Sequence, residues 1–218
     1  ANAMYIKVKG TAQIDKFSQE LVLMTNDINQ EAYLERQDNA EEKRVELHLH
    51  TKMSSMDGVS SVKEIIEKAA DWGHQAVAIT DHGVIQAFPE AYEMGKKFNI
   101  KVIFGLEAYL FDEKILGPKG RPLTYHCIIL AKNHEGLRTL YSLVTESHLK
   151  YFNRVPRIPK SLLGENRQDL IIGSACEAGE LIRQYLKNKE DYDSLISVAE
   201  FYDFIEIQPT GNNEFLIR

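Results

Sequence analysis

Two short apolar alternations open the chain: Tyr5, Ile6 and Val8 within residues 5–14, then Leu21 to Met24 within residues 20–28, separated by the polar stretch Asp15–Gln19. Period-two alternation on both sides of a polar break predicts a β-hairpin. A lone hairpin is marginally stable in water, so this one is expected to belong to a larger sheet or to dock on the remainder of the chain. Residues 29–43 are charged and carry no sustained period, which reads as a linker or a short surface helix.

From Arg44 the pattern becomes strands alternating with helices. Arg44–His50 is the first expected strand. Ser61-Val62-Lys63-Glu64 is a capping box, and apolar residues at Val62, Ile65, Ile66, Ala69 and Ala70 with a stop at Gly73 complete an amphipathic helix. Further strands are expected over 75–80, 101–110, 123–131, 169–173 and 204–208, and further helices over 89–98, 134–151, 177–188 and 192–202. The run Gly117-Pro118-Lys119-Gly120 marks a loop between two of the strands. This rhythm predicts a parallel α/β fold, and six strands without a glycine-rich nucleotide loop favour a (β/α) barrel over a doubly wound sheet. Only ten residues come after Gln208, with no terminal helix, so the barrel is expected to be incomplete.

Composition adds one constraint. With 26 basic and 32 acidic residues and a formal net charge of −6, the chain is no basic nucleic-acid coat. A polyanionic substrate would then need local positive charge, such as metal ions in a cleft. At 218 residues, 44% of them hydrophobic, the chain can bury its own core, which excludes wholesale disorder. Apolar runs such as Cys127–Ala131 fall far short of the roughly 20 residues that span a bilayer, and no N-terminal signal precedes them, so neither a secreted nor a membrane protein is expected. Cys127 and Cys176 point to a reducing cytosol, where an isolated cysteine serves as ligand or core residue. Ala1-Asn2-Ala3 ahead of Met4 reads as the scar of an expression tag.

Potential metal ligands recur along this framework. His48 and His50 close the first strand, Asp57 sits in the loop after it, Asp81-His82 ends the second strand, Glu107 lies on the third, His126 on the fourth, and Cys176 just after the fifth. Each has an ordinary reading alone: surface histidines, a turn residue before Gly58, a surface-facing glutamate, a core histidine, a small buried thiol. Strand ends of a parallel barrel converge on one face, however, and there these residues would meet. His48 and His50 share one side of a strand. Glu107 interrupts the apolar run 102–106 and needs a cation there. Asp81 either orients an imidazole or caps a turn. Histidine, carboxylate and thiolate together suit zinc, manganese or iron, and a bridging carboxylate permits ions roughly 3.5–4 Å apart, the arrangement of phosphoester-hydrolysing sites. His74 reads as structural, His134 and His148 fall outside the site, and Arg154, Arg157 and Lys160 form a basic loop read as solvated.

The residues that carry this chemistry resemble a known family, the PHP (polymerase and histidinol phosphatase) domain, in the form found in PolC-type α subunits of bacterial DNA polymerase III. The resemblance rests on residues 44–51 with Met56-Asp57-Gly58, Trp72-Gly73-His74, Thr80-Asp81-His82, residues 88–92, Gly105-Leu106-Glu107-Ala108 and residues 151–159, and covers the chain from Met4. It implies an incomplete, distorted (β/α) barrel over 44–218, preceded over 4–43 by the end of an OB-fold domain and a linker. It matches His48, His50, Asp57, His82, Glu107, His126 and Cys176 to metal-ligand positions, with Glu107 bridging, for up to three zinc or manganese ions, or iron. The chain departs from the family in two places: a proofreading exonuclease that many relatives carry would fall at Asp112–Arg121, and a last Asp-x-His motif would fall beyond Arg218. The implied parent is a cytoplasmic polymerase acting on DNA with other replisome subunits. The fragment itself is expected to be a metal-dependent phosphoesterase or 3′-to-5′ exonuclease, alternatively a metal-stapled scaffold, or else a free-standing phosphatase of histidinol-phosphate type.

Overall fold

The computed structural model describes residues 5–32, 36–117 and 120–207. The tag scar, Pro118 and Lys119 of the expected loop, part of the linker and everything from Gln208 onward lie outside these residues. The chain divides into two compact units, residues 1–40 and 41–218.

In the first unit β1 (Ile6–Ile14) pairs antiparallel with β2 (Leu21–Gln30), Ile14 opposite Leu21. The turn is held by Asp15, whose carboxylate accepts from the Phe17 and Ser18 amides. Nearly all side chains of both strands are exposed, including Ile6, Leu21, Met24 and Ile28, so the hairpin buries little against itself.

The second unit is a mixed α/β domain. Its sheet runs β3 (Ala76–Ile79), β4 (Lys101–Leu116), β5 (Pro122–Ala131) and β7 (Leu170–Gly173), with β6 (Arg157–Pro159) on the outer half of β4. The α/β class is as expected, but the pairing is not uniformly parallel. β3 and β6 run parallel to β4, whereas β5 is antiparallel to both β4 and β7. Chain geometry accounts for this: a parallel neighbour needs a crossover of a dozen or more residues, and the turn between Leu116 and Pro122 is far too short.

The expected first strand is likewise reduced to one bridge, Glu46 to Val77. Side chains take the amides a ladder would use. The Leu49 amide donates to Thr80 Oγ1, the Thr51 amide to Asp81, and the His48 amide to Glu46. At the opposite edge the expected last strand is a single bridge from Phe204 to Gly173. The sheet is therefore an incomplete barrel, edged by these two single bridges, whose concave lining includes Ala78, Ile128, Leu130 and Ala175.

Its convex face is covered by helices. α1 (Val62–Asp71) carries the expected capping box, Ser61 and Glu64 bonding reciprocally, and buries Val62, Ile66 and Ala69. α2 (Phe88–Phe98) begins with Pro89 in its first turn and buries Phe88 and Ala91. α3 (His134–Leu149) is capped by Asn133 and buries Leu140 and Leu143. These residues join Leu106, Leu110 and Ile129 in the main core.

Of the loop read as solvated, Arg154 is exposed, whereas Arg157 and Lys160 belong instead to β6 and to α4 (Lys160–Glu165). Arg157 lies over the Phe111 ring, and Lys160 Nζ is 2.7 Å from Glu180 Oε2. Two prolines disguised this segment; a three-residue strand tolerates Pro159 at its end. α5 (Glu180–Lys187) and α6 (Tyr192–Ala199) complete the unit, both shorter than their expected spans. Among the described residues no helix is long and apolar enough to cross a membrane.

Candidate metal centre

The period of β4 places Leu106, Ala108 and Leu110 in the helix-covered core and Glu107 and Tyr109 on the concave side. Glu107 is only 1% exposed. Its neighbours come from the flanking segments: His82 bridges it in parallel from the end of β3, and on β5 His126 sits opposite Tyr109, one diagonal step away.

Four imidazoles surround this one carboxylate. Glu107 Oε1 lies 3.1 Å from His48 Nε2 and 2.8 Å from His126 Nδ1. Glu107 Oε2 lies 3.0 Å from His50 Nε2 and 2.8 Å from His82 Nδ1. Asp57 reaches His82 Nε2 at 3.1 Å, and Cys176 Sγ stands 3.7 Å from Glu107 Oε1. Three overlapping groups, His48/His50/Glu107, His50/Asp57/His82 and His82/Glu107/His126, each bring their ligand atoms within 4.8 Å of one another. All seven residues singled out from the sequence thus line one cleft of about 740 Å³, with Cys176 at the margin of the triads.

A second set of bonds orients these rings. Buried Asp81 accepts from the Thr51 amide (2.7 Å), the Thr51 hydroxyl (2.9 Å) and the Ser54 hydroxyl (2.6 Å). Since Ser54 donates to Asp81, it accepts from His50 Nδ1–H at 2.8 Å, which leaves His50 Nε2 facing Glu107. Asp81 thus combines the two roles open to it, reaching an imidazole through Ser54 and holding the turn at 51–54 through the Thr51 amide. Glu206 does the same for His48, its carboxylate 2.8 Å from His48 Nδ1. This bond also joins the two edges of the incomplete barrel. Sequence reading missed Glu206, although an acid between Ile205 and Ile207 is the signature that singled out Glu107.

Left-handed backbone flanks three of these residues. Met56 and Ala175, immediately before Asp57 and Cys176, take left-handed φ values of 65° and 57°. Gly83, after His82, has φ of 63°, and a Cβ there would stand 2.6 Å from Pro156. Its carbonyl accepts from His148 Nε2 at 2.9 Å, so His148 anchors the His82 loop from outside the cleft.

The electrostatics are those of a centre short of cations. Burial alone would push Glu107 up, but the imidazoles crowded around it, His126 and His48 foremost, hold its carboxyl far below the usual range. Burial opposes charge on His48, yet Glu107 and Glu206 hold its pKa up at about 10. His82 is raised against burial by Glu107 and Asp57. Burial, with the nearby charge of Glu107, pushes the Cys176 thiol up to about 12. Buried His82 Nδ1 and Glu107 Oε2 are 2.8 Å apart, yet neither has an aligned hydrogen-bond partner among the described residues. Bonds of about 2.0–2.2 Å to one tetrahedral ion place neighbouring ligands roughly 3.3–3.6 Å apart, a few tenths of an ångström wider than the 2.8–3.1 Å separations here, and it is the chemistry of the donor set, imidazoles about a shared carboxylate, that fits divalent cations.

Fold and cluster together define an α/β domain built around a histidine–carboxylate centre. The PHP domain profile matches residues 46–209, and the chain belongs to that family. It is similar to the PolC-type DNA polymerase III of Clostridium perfringens, 30% identical over 410 aligned positions covering 99% of this chain and 28% of that protein. The corresponding protein of Caldanaerobacter subterraneus is 27% identical over 98% of this chain and 29% of its own length. That of Listeria welshimeri is 53% identical over 123 residues, 56% of this chain and 8% of that protein. The chain therefore spans less than a third of the length of these relatives. An alignment of 410 positions against 218 residues also means that the Clostridium protein carries many residues with no counterpart here. A crystal structure from Bifidobacterium adolescentis, described as a metal-dependent phosphoesterase, aligns with TM-score 0.48 and 14% identity over 79% of this chain and 81% of that one.

Proposed function

We propose that the chain is the PHP portion of a PolC-type replicative polymerase and that its cluster is a divalent-metal phosphoesterase centre acting on DNA as a 3′-to-5′ exonuclease. The observation that carries this reading is Glu107, one buried carboxylate shared by four imidazoles. His48, His50, Asp57, His82, Glu107, His126 and Cys176 would hold zinc or manganese, or iron, with Glu107 as the shared ligand. A cation held there supplies Lewis-acid polarisation of a phosphoryl oxygen and acidifies water. The chain's own contribution is orientation: Ser54 and Glu206 fix the rings of His50 and His48, and Tyr109 stacks at 17° on His82. In the same reading the hairpin is the end of an OB-fold domain. The whole protein extends DNA in the cytoplasm with other replisome subunits.

A second reading, a metal-stapled scaffold without activity, is favoured by the bond between His48 and Glu206, which ties together both edges of the incomplete barrel. Hydrolysis predicts that His82→Ala abolishes Mn²⁺- or Zn²⁺-dependent release of nucleotides from a single strand while the melting temperature stays close to wild type. The scaffold reading predicts no release from either protein at any metal concentration, and a lower melting temperature for the variant.

A further inference from the structure

The cleft that holds the cluster shares one wall, the backbone pairing of His126 with Ala178 and Gly179, with a neighbouring space. This second groove, of about 800 Å³, adjoins the cleft at His126 and Ala178, which line both spaces, and lies between α5 and the outer half of β5. β5 bonds to β7 only from Ile128 onward, and His126 bridges Gly179, so among the described residues the edge at 123–125 is free and forms one wall. Tyr125 lies half-buried on that wall.

The opposite wall is positively charged, in a chain whose net charge is −6. Arg183 and Lys187 are exposed, one turn apart on α5, and neither forms an ion pair with a described residue. The groove's acidic residue, Glu180, is already neutralised by Lys160 at 2.7 Å and accepts from Tyr202 Oη at 3.1 Å. Two free cations thus remain about 6 Å apart along the helix axis, close to the step between successive phosphates of an extended strand. Single strands are held by this combination of a cationic groove and an aromatic ring on which a base stacks.

We propose that this groove is a track for a single nucleic-acid strand leading to the cluster, with Arg183 and Lys187 on successive phosphates and Tyr125 beneath a base. The assignment rests on the phosphoesterase reading for its direction, toward His126, but the binding it predicts does not require hydrolysis.

The test is fluorescence anisotropy of a labelled single-stranded oligodeoxythymidylate with the full chain in EDTA, at several salt concentrations. Arg183→Ala with Lys187→Ala should weaken binding and reduce the log–log salt slope by about 1.4, two contacts at about 0.7 each. Melting temperature should remain unchanged. Tyr125→Ala should weaken binding without altering the slope, and Tyr125→Phe should restore it. An unchanged slope in the double variant, absence of binding by wild type, or equal competition by polyglutamate would overturn the track. Slope-dependent binding without any metal-dependent hydrolysis would leave the track standing and remove the phosphoesterase reading.

Discussion

Glu180 and Glu107 are both withdrawn from water, 6% and 1% exposed, and they are neutralised in different ways. Glu180 has a permanent internal cation, Lys160, and a hydroxyl donor, Tyr202. Glu107 has only imidazoles, which are neutral whenever they act as ligands. Burying a carboxylate costs several kcal/mol unless an opposite charge accompanies it. The first carboxylate is therefore satisfied by folding alone. The second is satisfied either by protons on its histidines or by cations from solution, and that dependence separates a structural ion pair from a binding centre.

The contrast is broken most strongly at Lys160. Lys160→Ala leaves Glu180 buried without its partner and should cost about 3–5 kcal/mol, the same with or without metal, read by denaturant unfolding in EDTA and in Zn²⁺. A loss that disappears on adding metal would mean that Glu180 belongs to the metal centre.

A smaller effect is expected at Ser54, which touches His50 and Asp81 but not Glu107. Ser54→Ala frees the His50 ring and should weaken metal affinity about 10–100-fold by competition with a chelating dye, and because it also removes bonds to buried Asp81 and to the His82 amide it should lower metal-free stability by about 1–3 kcal/mol. Unchanged affinity would make the Asp81–Ser54 relay irrelevant to the rings.

The mildest effect is on pH dependence. In metal-free protein the folded pKa of His48, about 10 against an ordinary 6.5, is a raised one. Its stabilising contribution is complete below pH 6.5 and fades as pH rises through 10. Glu107 is held low, so its contribution is present above the ordinary carboxylate range and fades only in acid. The melting temperature in EDTA should therefore fall from pH 6.5 upward, and His48→Gln should flatten that fall. Cations require neutral imidazoles, so the extra stability conferred by metal should grow over the same interval. Parallel pH profiles with and without metal would contradict this.

Much of this was legible in the residues. The Ser61–Glu64 capping box placed α1, and the acid at Glu107 inside an apolar strand marked the centre. The seven candidate residues lie in one cleft even though the sheet is not uniformly parallel, because β4 and β5 as a hairpin still place Glu107 and His126 on the same concave face. What escaped was non-local. Nothing near Arg44–His50 announces that Thr80 and Asp81 will take its amides. Nothing near Lys160 announces Glu180 twenty residues later. The antiparallel turn was visible in the short Gly/Pro stretch, but the strand–helix rhythm around it outweighed that signal.

The most direct test of the central claim is metal content by elemental mass spectrometry on the purified chain beside Glu107→Gln, which preserves shape and removes the shared charge. The account predicts transition-metal ions in the wild type and their loss in the variant. Equal metal content in both, or none in a wild type dialysed against Zn²⁺ or Mn²⁺, would contradict it.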